Sequence, residues 1–133
     1  MTLHAGYTLS FTVGTTAGTL TTVPAAAGGL EAVFLRVGKQ GSTMAGLTEA
    51  LATGMSVALS DGVPLAAFTE ELQGTRFVPD GPTDDPELPR ATSVVDYVAR
   101  RLATDFPAAG ASATGRAMPG VRLGPGAPAG PPR

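Results

Sequence analysis

The sequence predicts an α+β fold, a small antiparallel sheet of about three strands followed by three helices. Three observations predict it. Residues 7–13 alternate apolar side chains (Tyr7, Leu9, Phe11, Val13) with hydroxyl ones (Thr8, Ser10, Thr12), the period-two mark of a strand buried on one face. Two more extended stretches follow after short connections, so hairpin pairing is the simplest arrangement. Beyond Ser42 the apolar spacing lengthens to that of a helix.

The first strand covers about 6–13, and Gly14-Thr15-Thr16-Ala17-Gly18 reads as its hairpin loop. A second strand covers about 18–23; its threonines favour extended backbone, and Pro24 ends it. Ala25–Gly29 is a flexible connection. The third strand, about 30–37, turns Val33, Leu35 and Val37 to one face. Ser42 stands where a helix N-cap belongs, with a hydroxyl that can accept from a first-turn N–H. The helix that follows runs to about residue 59. Leu47, Leu51, Met55 and Leu59 form an apolar ridge along it, and Gly46, Ala50, Gly54 and Ala58 form a smooth one. Each interior glycine costs ~1 kcal/mol relative to alanine, so something must press on the smooth ridge. Packing within the fold is the favoured reading; a homo-oligomer joined through Gly46, Ala50, Gly54 and Ala58 is the alternative.

Asp61-Gly62-Val63-Pro64 breaks the chain, with Gly62 suited to a left-handed helix end and Pro64 to a helix start. A short helix covers about 64–72, with Leu65, Phe68 and Leu72 inward. Residues 77–90 contain four prolines and read as an ordered or half-ordered loop. The last helix covers about 92–106, with Val95, Val98 and Leu102 on one face and an Asp96–Arg100 pair on another. Residues 1–106 form the domain. Residues 107–133, with six prolines, six glycines and seven alanines, read as a disordered tail.

Composition narrows the function. The chain has 133 residues, enough for one domain. Its formal charge is −2, split between −5 over residues 1–106 and +3 over the tail, which makes no case for specific DNA binding. It has no cysteine, which excludes disulfides, thiolate metal sites and thiol nucleophiles from this chain. No signal peptide is visible and no membrane span is expected, so the expected location is the cytoplasm.

The corner VGKQGST (37–43) has the layout of a strand, a turn and a helix start, which often holds phosphate. It is not a Walker loop, because Lys39 precedes Gly41 instead of following it, and Gly38, Gly41 and Gly46 miss the dinucleotide spacing. The residues alone favour a structural corner over a phosphate site. His4, the only histidine, lies near the terminus and supports no triad. Asp84, Asp85 and Glu87 favour acidic loop surface over a cation site or an acid–base pair. Tyr7, Phe11, Phe34 and Phe77 are too scattered for a base-stacking platform.

Read together, VGKQGSTMAGLTEALATGMSVALSDGVPL and ELQGTRFVPDGPTDDPELPRATSVVDYVARRLATDF carry a more specific signal. They resemble the C-terminal accessory region of adenosylcobalamin-dependent (class II) ribonucleotide reductase, a region named in its shorter members for a Thr-Ser-Cys-Pro-Asp motif. The likeness extends over about residues 7–106. At the naming motif Thr92, Ser93 and Asp96 match, while Val94 and Val95 replace Cys and Pro. The resemblance implies reduction of ribonucleotides to deoxyribonucleotides for DNA synthesis, with adenosylcobalamin in the parent enzyme and thioredoxin-type thiols as reductant. That chemistry needs a radical cysteine and a reducing cysteine pair in a large barrel. This chain has neither barrel nor cysteine, so no catalytic, cofactor-binding or metal residue carries over to it. What it implies instead is an accessory domain working with a separate class II catalytic chain. Gly38, Lys39, Gly41 and Ser42 match the family signature and are the candidate phosphate, nucleotide or partner contact, Lys39 above all. A stand-alone nucleotide or phosphate-binding module and a non-functional truncated relic stay open as alternatives.

Overall fold

The computed structural model describes residues 6–26 and 28–107. His4 and the expected tail from residue 108 onward lie outside the described residues. The chain folds as β1 (Thr8–Val13), β2 (Thr16–Pro24), β3 (Leu30–Val37), α1 (Thr43–Ser60), α2 (Leu65–Leu72), β4 (Gly81–Pro82), β5 (Arg90–Ala91) and α3 (Val94–Asp105). The first three strands form one antiparallel sheet in the order β1-β2-β3. This is the α+β architecture the sequence predicts.

The alternation sets the register. Phe11 and Val13, Leu20, and Val33, Leu35 and Val37 are buried on one face of the sheet, while the hydroxyls of Thr8 and Thr21 meet at 3.1 Å on the other. The hairpin is tighter than expected. Gly14 and Thr15 alone make the turn, and β2 begins at Thr16, not near residue 18. Gly18 belongs to the strand, opposite Phe11. A Cβ on Gly18 would come within 2.6 Å of the Phe11 ring, so this glycine makes room for an aromatic side chain and does not mark a loop.

Helix α1 packs on β3. Ala45, Thr48, Ala52, Met55 and Leu59 point inward, and the hydroxyl of buried Thr48 donates to the Met44 carbonyl at 2.8 Å. The Ser56 hydroxyl accepts from the Val33 N–H and donates to the Val33 carbonyl, both at 2.9 Å. One side chain thereby covers part of the free edge of β3, which would otherwise offer open backbone groups. The favoured place for the smooth ridge was inside the fold, and the structure corrects that. Gly46, Ala50 and Gly54 face solvent, Ala58 is half-buried, and a Cβ on either glycine would meet nothing within 4 Å. Leu47 is 66% exposed, so the leucine ridge is buried only toward its C-terminal end. The physical reason is that α1 holds a single charge, Glu49, in 18 residues. With apolar residues all round, periodicity cannot choose a face; the close approach of Ala45 and Ala52 to the sheet does.

Gly62 takes φ +97 at the end of α1, as its position predicts. On α2, Leu65 is buried, and Phe68 and Leu72 pack against the core. The proline-rich loop is ordered and holds a two-residue ladder, Gly81–Pro82 against Arg90–Ala91, that its composition conceals. The Gly14 N–H donates to the Pro82 carbonyl at 2.8 Å, tying this loop to the hairpin. Helix α3 closes the core through Val94, Tyr97, Val98 and Leu102, with Tyr97 tilted against Phe11 at a ring separation of 4.8 Å. Among the described residues no helix is long and apolar enough to cross a membrane.

Candidate functional site

The structure places the sequence-predicted site at the β3–α1 corner and brings its residues together. Gly38 and Gly41 adopt φ +80 and +88, where a side chain would be strained. The Gly38 N–H donates to the Ala17 carbonyl at 3.0 Å, and the Ser42 N–H to the Lys39 carbonyl at 2.9 Å. Ser42 Oγ accepts from the Ala45 N–H at 3.1 Å, which is the predicted N-cap. The hydroxyl is thus engaged in starting the helix. Lys39 is exposed and belongs to none of the ion pairs among the described residues. Its charge faces water, and nothing in the turn requires it.

The Thr92-Ser93-x-x-Asp96 segment explains itself as a helix start. Ser93 Oγ accepts from the Asp96 N–H at 2.9 Å and donates to the Thr75 carbonyl at 2.7 Å. Thr92 Oγ1 donates to the same carbonyl at 2.9 Å. The Asp96 carboxylate reaches back to the Thr92 N–H at 3.1 Å and out to the Gly74 N–H at 2.6 Å. This resembles a capping box, except that the Asp96 carboxylate takes the N–H of Thr92, the residue before the Ser93 cap; it starts α3 and ties the segment after α2 to it. The predicted Arg100 pair is present at 3.1 Å, and Arg100 also donates to the Arg90 carbonyl. Asp96 is buried, although it stands on a different face of α3 from Val95, Val98 and Leu102. Burial alone would raise its pKa; the Gly74 and Thr92 N–H groups and Arg100 outweigh that and hold it below the ordinary aspartate value.

A second network was not foreseen. Arg101 is buried. Its guanidinium donates through Nη1 to Asp85 at 2.7 Å, through Nη2 to Glu87 and Asp105 at 2.8 Å each, and through Nε to Asp105 at 3.0 Å. The Tyr97 hydroxyl donates to Asp85 at 2.7 Å and the Tyr7 hydroxyl to Asp105 at 2.6 Å. The proline-rich loop, the start of the sheet and the end of α3 are fastened at one cation. Burial and the Asp105 carboxylate push the Tyr7 phenol well above its ordinary range, and burial and Asp85 do the same to Tyr97. Burial works against the Arg101 charge, but Asp105, Glu87 and Asp85 more than restore it. For Asp85, burial is outweighed by the hydrogen bonds from Tyr97 and Arg101, so its pKa lies below the usual value.

The acidic loop is therefore not simple surface, as its composition suggested. Asp85 is committed to Arg101, and Asp84 accepts from the Thr12 N–H at 3.0 Å. Two carboxylates so engaged do not form an acid–base pair. Among the described residues no group of three or more His, Cys, Asp or Glu side chains could hold a metal, and no buried side-chain nitrogen or oxygen lacks a partner. One signal could have exposed Arg101: at 100° per residue it falls between Tyr97 and Val94 on the apolar arc of α3, where a charge must bring partners with it.

Fold and networks together define a small α+β module whose polar interior is fully engaged in holding itself together. The family model of the TSCPD domain matches residues 2–106, and the chain belongs to that family. It is 48% identical over 101 residues to the vitamin B12-dependent ribonucleotide reductase of Streptomyces avermitilis, an alignment covering 76% of this chain and 10% of the reductase. The reductase of the same description from Streptantibioticus cattleyicolor is likewise 48% identical over 101 residues, with 17% of its length covered. That of Rhodopirellula baltica is 39% identical over 74 residues, 56% of this chain and 7% of the relative. The chain thus spans a small part of the curated relatives it matches. No solved structure gives a significant match.

Two open grooves among the described residues, one of about 440 Å³ between β3 and α1 and one of about 390 Å³ beside the α1–α2 turn, are lined by no histidine that could ligate a corrinoid cobalt. No step of cobalamin chemistry is derived from these side chains.

Proposed function

We propose that this chain is an accessory domain of ribonucleotide reduction, acting with a separate catalytic chain that carries adenosylcobalamin and the reactive thiols. The observation that carries the reading is the match at 48% identity to one tenth of a vitamin B12-dependent reductase. The absence of cysteine from all 133 residues agrees with a role outside the thiol chemistry. So does the interior, in which Asp85, Asp96, Arg101 and Tyr97 are consumed by the fold. The domain assembles or stabilises the catalytic chain, and it leaves substrate turnover to that chain. At the β3–α1 corner, Lys39 with Gly38, Gly41 and Ser42 is the contact toward that partner or toward a nucleotide phosphate.

The test is ribonucleotide reduction by the adenosylcobalamin-dependent enzyme of the same organism, with and without this chain. The reading expects a higher or newly nucleotide-regulated rate, together with a higher melting temperature of the catalytic chain. An unchanged rate and an unchanged melting temperature at saturating accessory chain would refute it.

A further inference from the structure

The segment that leads into α3 gathers cations that the fold leaves unused. Arg100 is held from two sides: Nε and Nη2 donate to Asp96 at 3.2 and 3.1 Å, and Nη2 also donates to the Arg90 carbonyl. Its Nη1 has no partner among the described residues. The carbonyl that fixes Arg100 belongs to a second arginine, Arg90, whose side chain is exposed. Two residues on, the Thr92 carbonyl accepts from the Phe77 N–H at 3.1 Å, and this places Arg76 against the same short segment, of which two residues span at most ~7 Å. Arg76 and Arg90 are exposed and belong to none of the ion pairs among the described residues. The Asp96 carboxylate beside them is buried and already committed to the Gly74 and Thr92 N–H groups and to Arg100. Cations therefore collect here although residues 1–106 carry a formal charge of −5. Like charges held together repel, and neither Arg76 nor Arg90 is compensated from within the fold.

We propose that Arg76, Arg90 and the free Nη1 edge of Arg100 form a binding site for a di- or triphosphate chain. All three cations are arginines, whose planar fork matches phosphate oxygens two at a time. Arg100 is already fixed by Asp96 and by the Arg90 carbonyl, so it loses little freedom when a ligand arrives. Arg76 and Arg90 carry the two uncompensated charges, and Arg100 presents a third guanidinium whose charge Asp96 partly offsets. Such a set suits several linked phosphates better than one. The site is separate from the β3–α1 corner, where Lys39 is the only cation of the turn, and it does not depend on the accessory role. A nucleotide and free inorganic triphosphate present the same chain, and titration separates them.

The experiment titrates the whole chain with ATP, inorganic triphosphate and adenosine by isothermal calorimetry, and repeats the titration with Arg76→Ala, Arg90→Ala, Arg36→Ala and Lys39→Ala. Arg36 is the charge control, an exposed arginine on β3 paired with Glu49. Circular dichroism verifies that each variant is folded, and the exposed, unpaired Arg76 and Arg90 side chains support no contact of the fold. The proposal expects saturable binding of ATP and triphosphate and none of adenosine. It expects Arg76→Ala and Arg90→Ala each to weaken binding by at least about 10-fold, the loss of one hydrogen-bonded charge, and Arg36→Ala to bind as the unaltered chain does. ATP binding tighter than triphosphate makes a nucleotide the occupant, and equal binding makes it the phosphate chain alone; both uphold the site. No saturable binding up to about 1 mM, where the binding free energy is only about −4 kcal/mol, overturns it. Equal losses in Arg36→Ala and Arg90→Ala show attraction to charge at large and overturn it too. A loss confined to Lys39→Ala gives the phosphate to the β3–α1 corner and overturns the site at α3. The accessory role is tested separately by the reduction assay.

Discussion

Replacing Arg101 by Met should be the most damaging single change to this fold. The Arg101 side chain is 9% exposed, and its partners Asp85 and Asp105 are 12% and 17% exposed. Glu87 is 68% exposed and contributes little. Removing the cation leaves two sheltered carboxylates, Asp105 with the Tyr7 hydroxyl and Asp85 with the Tyr97 hydroxyl and the Glu87 N–H, and no positive charge between them. Breaking a buried pair from one side costs about 3–5 kcal/mol, a large share of the about 5–15 kcal/mol that holds a domain folded. At about 4–8 °C per kcal/mol for a domain of this size, the melting temperature should fall by at least about 12 °C. Differential scanning calorimetry at pH 7 is the assay. The triple change Arg101→Met, Asp85→Asn, Asp105→Asn should recover much of the loss, because it removes the stranded charges as well. A fall below about 3 °C for Arg101→Met, or no recovery in the triple variant, would show that the network is not a principal tie of the loop to α3.

Further outcomes follow from the same geometry. Asp96→Ala strips acceptors from the Gly74 and Thr92 N–H groups and from Arg100, and should cost about 2–4 kcal/mol in urea denaturation, with Asp96→Asn intermediate. Gly18→Ala should destabilise by about 1–3 kcal/mol, because the new methyl meets the Phe11 ring. Gly54→Ala should stabilise by up to about 1 kcal/mol, because it meets nothing. Melting temperature against pH should show a plateau bounded on both sides. Asp85 and Asp96 have depressed pKa values in the folded state, so their contribution is complete above the ordinary carboxylate value of about 4 and is lost as pH falls below it. Tyr7 and Tyr97 have raised ones, so theirs is complete below about 10 and is lost above it. A melting temperature that stays flat from pH 5 to pH 2.5 would contradict the first half.

The elements were legible because their signals are local. Tyr7 to Val13 alternate, Ser42 precedes a helical run, and Gly62 ends one. The motif at Thr92 and Ser93 was legible as a family mark, although not as the clamp it forms with Thr75, because its partner lies 17 residues away. The inward face of α1 was not legible, since a helix with one charge gives no contrast between faces. Gly18 misled for a related reason: a glycine that accommodates a ring across a strand pair looks, in sequence, like a loop glycine. The Arg101 network needed tertiary structure, because it joins residues 85, 97, 101 and 105 to residue 7. The β3–α1 corner was legible as a strand, turn and cap, and its glycines and Ser42 do what those residue types do; Lys39 is exposed and takes no part in that cap.

The measurement that bears most directly on the accessory role is size-exclusion chromatography with light scattering on this chain mixed with the adenosylcobalamin-dependent catalytic chain of the same organism. The account predicts a complex whose mass is the sum of the two in a fixed ratio. Separate peaks, each at the mass of its own chain, at concentrations where the catalytic chain is active, would contradict it.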